Sequence, residues 1–436
     1  MKQLRVLVFA VVLVVASCSL SLADILKADD IIGDADLSVG AAVRIRHEDS
    51  VNAYDLDSSV TTNDPRTYFR TRTNLWALLK FSEFDSLKLM LTNEFRNYIL
   101  PDDSSISTRG DSNEVNFDNF YVQMDEVMES PVSLTLGRQN LIYGEGFLLF
   151  EGTPGDGSRT IYFDALKASV VLTESETLDL IYISNDKKDK KLPHDGAFAQ
   201  SLNTTDETGI VLYLKSKLSD ELNGELYFMN KVEEAPVGSS DLKINTLGAF
   251  GKYAAEIGTV RGQFALQDGD KGTVAWEGFG GYLFFDKKFD VAKAPMLSVG
   301  GLWLSGDDPA TANKFEGFNP LWSRYPYLNE LYSYVVIVEG NGLCYWTNTA
   351  LYTTRLTLEP IEKMSMTLAI DYIMAMEKGT ANSDVKGLSP HLTVGYAMSP
   401  TVSWKSQLFL FKPGNYYSGD SEDTATFIRH EWNIKF

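Results

Sequence analysis

The sequence predicts an all-β transmembrane protein, an antiparallel β-barrel of about 18 strands with short turns on one side and long loops on the other. The first observation is a period-two alternation of apolar and polar side chains in about 18 segments, most of them near the roughly 9–11 residues that a tilted strand needs to cross a bilayer. The second observation is that short turns alternate with long polar loops along the chain. The third is the last segment, 425–436, which is apolar and aromatic on one face and charged on the other.

The alternating segments follow one another from residue 36 to the C-terminus, and their even number fits a single-chain bacterial barrel. In chain order, the predicted strands are 36–48, 67–81, 86–99, 114–124, 132–141, 161–173, 177–184, 208–217, 221–231, 242–256, 259–267, 273–285, 295–304, 346–358, 363–377, 390–398, 402–412 and 425–436.

The connections between these segments support the same fold. Short turns are predicted at 82–85, 173–176, 218–220, 256–258, 359–361 and 399–400, and long loops at 49–66, 100–113, 142–160, 185–207 and 305–345. Barrels have tight periplasmic turns and longer extracellular loops. The connection at 267–272 is the exception, because it is short where a long loop is expected. A soluble β-sandwich would also alternate in its strands, but it has no reason to sort its loops by length.

The two ends of the chain predict export to the outer membrane. Lys2 and Arg5 precede a short apolar run, and a small-residue cleavage site ends at residue 23, which predicts a signal peptide over 1–23 and one barrel domain over 24–436. An alternative is a lipoprotein box that ends at Cys18 and would leave that residue lipidated. The last strand ends in Phe436 and resembles the terminal strand that the bacterial barrel assembly machinery reads.

Charge and cysteine content limit the partners. The net charge is −20, and removal of the signal peptide deletes two cations and no acid, so the chain is not expected to bind nucleic acid. Without Cys18 only Cys344 is left, so an internal disulfide is excluded. No cofactor and no complete metal motif is predicted, although acidic loops that include Asp307 and Asp308 are candidates for weak Ca²⁺ binding.

Charged residues indicate which face of each strand points into the barrel. An arginine on the lipid face costs about 2–4 kcal/mol at the bilayer midplane, so Arg70 and Arg72 are predicted to face the lumen. The same argument places these residues inward: Arg44, Arg46, Glu48, Glu94, Arg96, Arg355, Asp371, Lys405, Arg429, Glu431 and Lys435. The argument does not place Arg138 inward, because Arg138 lies on the same face of its strand as Leu134 and Leu136. Only a bulge near the end of that strand would turn it inward.

A charged lumen has two interpretations, a selective channel or a salt-bridged filling that braces the wall. About 18 strands leave an aqueous interior rather than a packed one, which favours a channel. Rings of Arg and Lys are a usual means of selecting anions. Segments 143–157 and 305–345 are rich in aromatic residues, which predicts that these two loops fold inward and narrow the pore. The alternative is a rim in which the loops pack only on each other.

Four segments in the middle of the chain carry short motifs of Gly, Arg, Asp and aromatic residues. Residues 136–146 read Leu-Gly-Arg-Gln-Asn-Leu-Ile-Tyr-Gly-Glu-Gly, and 159–166 read Arg-Thr-Ile-Tyr-Phe-Asp-Ala-Leu. Residues 305–309 read Ser-Gly-Asp-Asp-Pro, and 318–321 read Phe-Asn-Pro-Leu. Together these segments resemble the alginate export porin family. The resemblance implies a monomeric outer-membrane barrel with an arginine-rich constriction for an anionic polysaccharide. Arg138 and Asp164 are assigned to the pore lining on these motif matches alone.

The sequence is compatible with several functions. The leading hypothesis is an anion-selective outer-membrane channel that passes an acidic, alginate-like polysaccharide or smaller acidic solutes. The alternative is a general diffusion porin in which arginines and acids cancel. A barrel enzyme is not expected, since the only histidines are His47, His194, His391 and His430, and no Ser or Asp stands out as a partner for His391. A structural or adhesive barrel is the remaining possibility.

Overall fold

The computed structural model describes most of the predicted barrel. The described residues are 35–53, 56–59, 66–81, 85–98, 115–150, 162–187, 205–323, 328–334, 347–417 and 422–436. The predicted signal peptide, Cys18, His194 and Cys344 lie outside these ranges, as do several loop tips.

Eighteen long strands and three short ones account for most of the described residues. The strands are β1 Asp36–Val51, β2 Arg66–Lys80, β3 Asp85–Tyr98, β4 Asn116–Met124, β5 Val132–Gln139, β6 Ile142–Tyr143, β7 Leu149–Phe150, β8 Phe163–Thr173, β9 Glu176–Asn185, β10 Glu207–Lys217, β11 Leu222–Glu233, β12 Leu242–Ala255, β13 Gly258–Lys271, β14 Val274–Lys288, β15 Met296–Leu304, β16 Lys314–Phe315, β17 Thr349–Leu358, β18 Met364–Met374, β19 Val385–Ala397, β20 Val402–Pro413 and β21 Ala425–Lys435. One short α-helix, α1, spans Glu330–Tyr334, and two 3₁₀ turns span Val127–Glu129 and Gly144–Gly146.

The long strands form a closed antiparallel barrel, which confirms the predicted fold. Each long strand pairs with its neighbour along the chain, and the sheet closes where Arg44 of β1 lies opposite Asn433 of β21. Closure leaves no unpaired sheet edge, which is the condition for a β-structure in lipid. Among the described residues, no helix is long and apolar enough to cross a membrane.

The outer wall is apolar because period-two alternation sends every second side chain outward. Large apolar side chains are exposed on that face all round the barrel, among them Leu75, Leu136, Leu226, Leu247, Phe264, Leu283 and Leu368. In lipid these side chains meet hydrocarbon, so their exposure is compatible with a stable wall.

The connections sort by length as predicted. β1 begins and β21 ends at the barrel end that carries the short turns, and the strand ends at the other side are joined by the longer connections. The exceptional connection between β13 and β14 is a two-residue turn at Gly272 and Thr273. β13 is longer than predicted, because its pairing with β14 continues from residue 267 to Lys271. β14 is longer only at its other end, where it reaches Lys288 instead of residue 285. Gly272 has a φ of +66°, a conformation that favours glycine.

Candidate functional site

Cationic side chains line the lumen in three cross-strand rows on β20, β21, β1, β2 and β3. Residues directly opposite each other in an antiparallel pair point to the same face, so register alone brings the rows together. The first row is Asn433, Arg44, Arg72 and Glu94; the second is Lys405, Glu431, Arg46, Arg70 and Arg96; the third is Gln407, Arg429, Glu48 and Tyr68. We call Arg44, Arg46, Arg70, Arg72, Lys405 and Arg429 the basic track.

Two acids in the rows, Glu48 and Glu431, form ion pairs with four members of the basic track: Arg46, Arg70, Lys405 and Arg429. Glu48 Oε1 lies 2.8 Å from Arg429 Nε, 3.3 Å from Arg46 Nη1 and 3.4 Å from Arg70 Nη1. Glu431 accepts hydrogen bonds from Arg46 Nε at 2.8 Å and Nη2 at 2.6 Å. Arg46 and both acids are almost fully buried. Charge-assisted bonds of this kind are shorter and roughly twice as strong as neutral ones.

The described side chains of the three rows nevertheless carry more positive than negative charge. Six cations stand against Glu48 and Glu431, and Arg44 lies directly opposite Arg72, as Arg46 does opposite Arg70. Like charges directly opposite each other destabilise a sheet. A wall that needed only bracing would not use such pairs, so this arrangement favours a role in binding or conduction.

Most of the predicted pore-lining residues take inward positions. Arg44, Arg46, Arg70, Arg72 and Arg429 belong to the basic track. Glu94 and Arg96 lie in register with it, but their side chains fall outside the described part of the protein. Arg355 faces inward on β17, apart from the track, and donates from Nη2 to the carbonyl oxygen of Leu328 at 2.7 Å.

Arg138 and Asp164 are placed differently from the prediction. The β5 ladder with β4 reaches Arg138, and the ladder with β8 continues past it to Gln139, both without a register shift, so no bulge turns Arg138 inward. It lies opposite Phe120 and two residues from Leu136, whose side chains are 51% and 57% exposed on the outer wall. The pore-lining assignment of Arg138 and Asp164 is therefore corrected: this pair lies on the outward side, near the end of the barrel that carries the long loops.

The outward pair has its own hydrogen bonds and is buried. Arg138 donates from Nε and Nη2 to the two carboxylate oxygens of Asp164 at 3.1 and 3.0 Å, and from Nη1 to the carbonyl oxygen of Phe117 at 3.1 Å. Tyr162 covers the guanidinium, whose central carbon lies 3.5 Å from the ring centroid. These contacts remove the charge from lipid and indicate a structural role.

We expect Arg138→Gln to lower the free energy of unfolding by about 3 kcal/mol, because the substitution leaves the Asp164 carboxylate buried without its counter-charge. Urea titration of the refolded barrel measures this loss. The ion selectivity should stay at the wild-type value. A change in selectivity would return Arg138 to the pore lining and contradict the placement described above.

The described part of the loop between β5 and β8, residues 140–150, folds into the barrel, as the aromatic content of this loop predicted. Tyr143 donates to Asp179 Oδ2 at 2.7 Å, and its ring centroid lies 4.5 Å from that of Tyr213. Burial and the Asp179 carboxylate raise the pKa of the Tyr143 hydroxyl, which therefore stays protonated. Glu145 accepts from Arg261 Nη1 at 2.5 Å and from the Tyr282 hydroxyl at 3.1 Å.

A glycine lets this loop approach the wall closely. Gly144 has a φ of +52°, and a Cβ at that position would lie 2.6 Å from Gln263 Oε1. A larger residue would strain the backbone at this φ and would have to displace the Gln263 amide, which donates to the Tyr227 hydroxyl at 2.9 Å, so the Tyr-Gly-acid-Gly sequence has a local structural reason.

The described residues of the loop between β15 and β17, 305–323 and 328–334, enter the lumen as well and contact the first loop. Trp322 N donates to the carbonyl oxygen of Leu148 at 3.1 Å, and Ser323 Oγ to that of Gly146 at 2.6 Å. Lys231 Nζ on β11 donates to the carbonyl oxygen of Leu321 at 2.7 Å. The loops therefore pack on each other and also on the wall, inside the barrel rather than only at its rim.

Helix α1 and the residues before it belong to this second loop and are attached to several strands. Asn329 Nδ2 lies 2.8 Å from Asp371 Oδ2 on β18 and 2.7 Å from Ser389 Oγ on β19. Lys386 Nζ donates to the Tyr332 hydroxyl at 3.0 Å. Glu330 accepts a hydrogen bond from Arg429 Nη1. This segment thus brings a carboxylate to the basic track.

Sequence reasoning missed Glu330 and Asn329, because loop residues carry no periodic signal that reports where the loop goes. It also missed the partner of His391, whose Nε2 lies 3.1 Å from Asp371 Oδ2 across two neighbouring strands. Within the described ranges, no group of three or more His, Cys, Asp and Glu side chains is placed to hold a metal ion.

A closed 18-strand barrel with an apolar outer wall, a charged lumen and inward-folded loops defines a bacterial outer-membrane channel, whose contacts are membrane lipid outside and a passing solute inside. The profile of the alginate export family matches residues 35–372. The chain belongs to this family; it is a channel and not an enzyme.

Solved structures share the fold at low sequence identity. Pseudomonas aeruginosa OccK9 (OpdG) aligns with a TM-score of 0.62 at 12% identity and covers 93% of this chain and 99% of its own. Acinetobacter baumannii OccAB1 has a TM-score of 0.60 at 11% identity, with 92% and 97% covered. Pseudomonas aeruginosa OccK3 (OpdO) has a TM-score of 0.59 at 12% identity, with 94% and 97% covered. No curated protein sequence matches the chain.

Proposed function

We propose that the channel is anion-selective and passes an acidic, uronate-rich polysaccharide of the alginate type, or smaller acidic solutes. The observation that carries this proposal is the basic track, in which Arg44 opposes Arg72 and Arg46 opposes Arg70 across β1 and β2. Arginine is suited to the task, because its planar guanidinium binds a carboxylate through two parallel hydrogen bonds.

The spacing of the track suits a polymer that moves in steps. Successive inward residues of one strand, such as Arg44 and Arg46, lie about 7 Å apart along the strand, and neighbouring strands lie about 4.8 Å apart. A carboxylate that leaves one guanidinium therefore meets another within a short distance. Conduction requires binding that is favourable enough for entry and weak enough for exit.

The acids of the track support such stepwise movement. Glu48 and Glu431 already engage Arg46, Arg70 and Arg429, so a solute carboxylate competes for guanidiniums that have partners. Competition of this kind lowers the net affinity of each step. Glu330 adds a third acid at Arg429, and the six cations of the track still outnumber Glu48, Glu431 and Glu330, which favours anions over cations.

One observation favours a general diffusion porin as the second candidate. The acids in the rows lie beside the arginines, and the chain as a whole carries a net charge of −20. If these acids cancelled the field of the track, cations and anions would pass alike.

The reversal potential of the refolded protein in a planar bilayer under a KCl gradient distinguishes the two candidates. We expect anion selectivity, and a concentration-dependent block when an oligouronate is added to one side. A neutral oligosaccharide of the same length is the control and should not block at the same concentration. Equal permeability of K⁺ and Cl⁻ with no block by the oligouronate would support the general porin instead.

A further inference from the structure

The loop between β15 and β17, the second lumen loop, places a carboxylate of the protein itself at the basic track. Glu330 on α1 contacts Arg429 Nη1, while Nε of the same guanidinium lies 2.8 Å from Glu48 Oε1. Both Glu330 and Arg429 are buried. A guanidinium that binds a glutamate from a loop has the geometry to bind another carboxylate in the same place.

The backbone around Glu330 is held independently of its side chain. Leu328 accepts from Arg355, and Asn329 bonds to Asp371 and Ser389 on the wall. Tyr332 receives a hydrogen bond from Lys386. None of these contacts uses the Glu330 carboxylate. The side chain can therefore leave Arg429 by a rotamer change while the segment keeps these wall contacts.

The free energy of such an exchange is small, because one charge-assisted hydrogen bond replaces another of the same chemistry. The released Glu330 carboxylate regains water, and a solute carboxylate gives up water as it arrives. The protein thus supplies an internal competitor whose strength sets how tightly a solute carboxylate is held.

We propose that Arg429 forms a carboxylate subsite which Glu330 occupies when no solute is bound, and that an acidic solute displaces the Glu330 side chain as it passes. Glu330 is then a specificity-determining residue. It prevents carboxylates from staying at Arg429 and so favours their release. This inference rests on the proposed anion-selective function, because it assumes a carboxylate as the solute.

The test is the half-blocking concentration of an oligouronate, measured on single channels in planar bilayers. We expect Glu330→Gln to lower this concentration about tenfold, since the main competitor for a strong, charge-assisted interaction is weakened. The dwell time of each blocking event should lengthen accordingly. Glu330→Asp, which keeps the charge but withdraws the carboxylate by one methylene group, should lower the concentration by less.

Two further variants make the test specific. Glu316→Gln removes the same charge from the same loop, at a site where Glu316 is paired with Lys314 at 2.9 Å. The oligouronate should block this variant at the same half-blocking concentration as the wild type. Arg429→Gln should raise the half-blocking concentration, and adding Glu330→Gln to it should cause no further change. Such non-additivity is expected only if the two residues act on each other. Heat-modifiable mobility on a gel confirms that each variant forms a barrel.

The outcomes separate this inference from the proposed function. If the oligouronate blocks the wild type, but its half-blocking concentration is no lower for Glu330→Gln than for Glu316→Gln, then Glu330 is not an internal competitor. The proposal of an anion channel stands in that case. If the oligouronate blocks neither the wild type nor any variant, the anion channel fails and the inference fails with it.

Discussion

Replacement of both Arg44 and Arg72 by glutamine is expected to reduce the anion preference of the channel by about tenfold. A unit charge about 7 Å from a permeating ion is worth about 2 kcal/mol at an effective dielectric constant of 20, before screening by salt. The two side chains lie directly opposite each other on β1 and β2, so the double variant removes one whole cationic pair of the basic track. The ratio of chloride to potassium permeability, taken from the reversal potential, measures the change.

A matched control is available on the outer wall. Arg138→Gln makes the same chemical change at a guanidinium that is bound to Asp164 and lies on the outward side. Its permeability ratio should equal that of the wild type. If the Arg44 and Arg72 double variant kept the full anion preference, the basic track would not set the selectivity.

The second large effect is expected from the aromatic contacts that the two lumen loops make with each other and with the wall. Phe147 packs against Tyr282 and Phe318 with ring centroids 5.5 Å apart in each case, and Trp322 lies against β10 at Gly209. A Cβ at Gly209 would lie 2.4 Å from the Trp322 ring, which shows how closely the ring meets the wall. Truncation of a buried aromatic residue to alanine costs about 3–5 kcal/mol.

We therefore expect the double variant Phe147→Ala, Trp322→Ala to release both loops from the wall and widen the pore. Single-channel conductance should rise, and block by the oligouronate should weaken, because the solute no longer passes close to the basic track. Leu136→Ala on the outer wall is the control and should leave conductance unchanged. An unaltered conductance in the double variant would show that these loops do not narrow the conducting path.

Much of the fold was predictable because a membrane barrel has to repeat one local rule many times. Period-two alternation, loop lengths and the charged face of each strand all follow from the need to keep backbone groups paired and charges out of lipid. The inward positions of Arg44, Arg46, Arg70 and Arg429 follow from the same rule. The lengths of β13 and β14 were underestimated, since strand pairing continues beyond the bilayer, where that rule no longer applies.

The site was only partly predictable, because its assembly depends on register and on loop paths. Parity assigns a face to Arg429 but does not say that Glu48 lies opposite it across the seam between β21 and β1. Arg138 was misplaced because its assignment relied on a motif match against its parity, and the uninterrupted ladder of β5 followed the parity.

By itself the sequence determined the barrel, the end of the barrel that carries the long loops, and the face of each strand that carries charge. These features are local consequences of the contacts that each strand makes with lipid and water. Only the tertiary structure decided which charges meet. The closing register between β1 and β21 brings Glu48 and Glu431 among the arginines, and the path of the second loop brings Glu330 to Arg429. Contacts between residues hundreds of positions apart depend on chain closure and packing, which no short segment of sequence encodes.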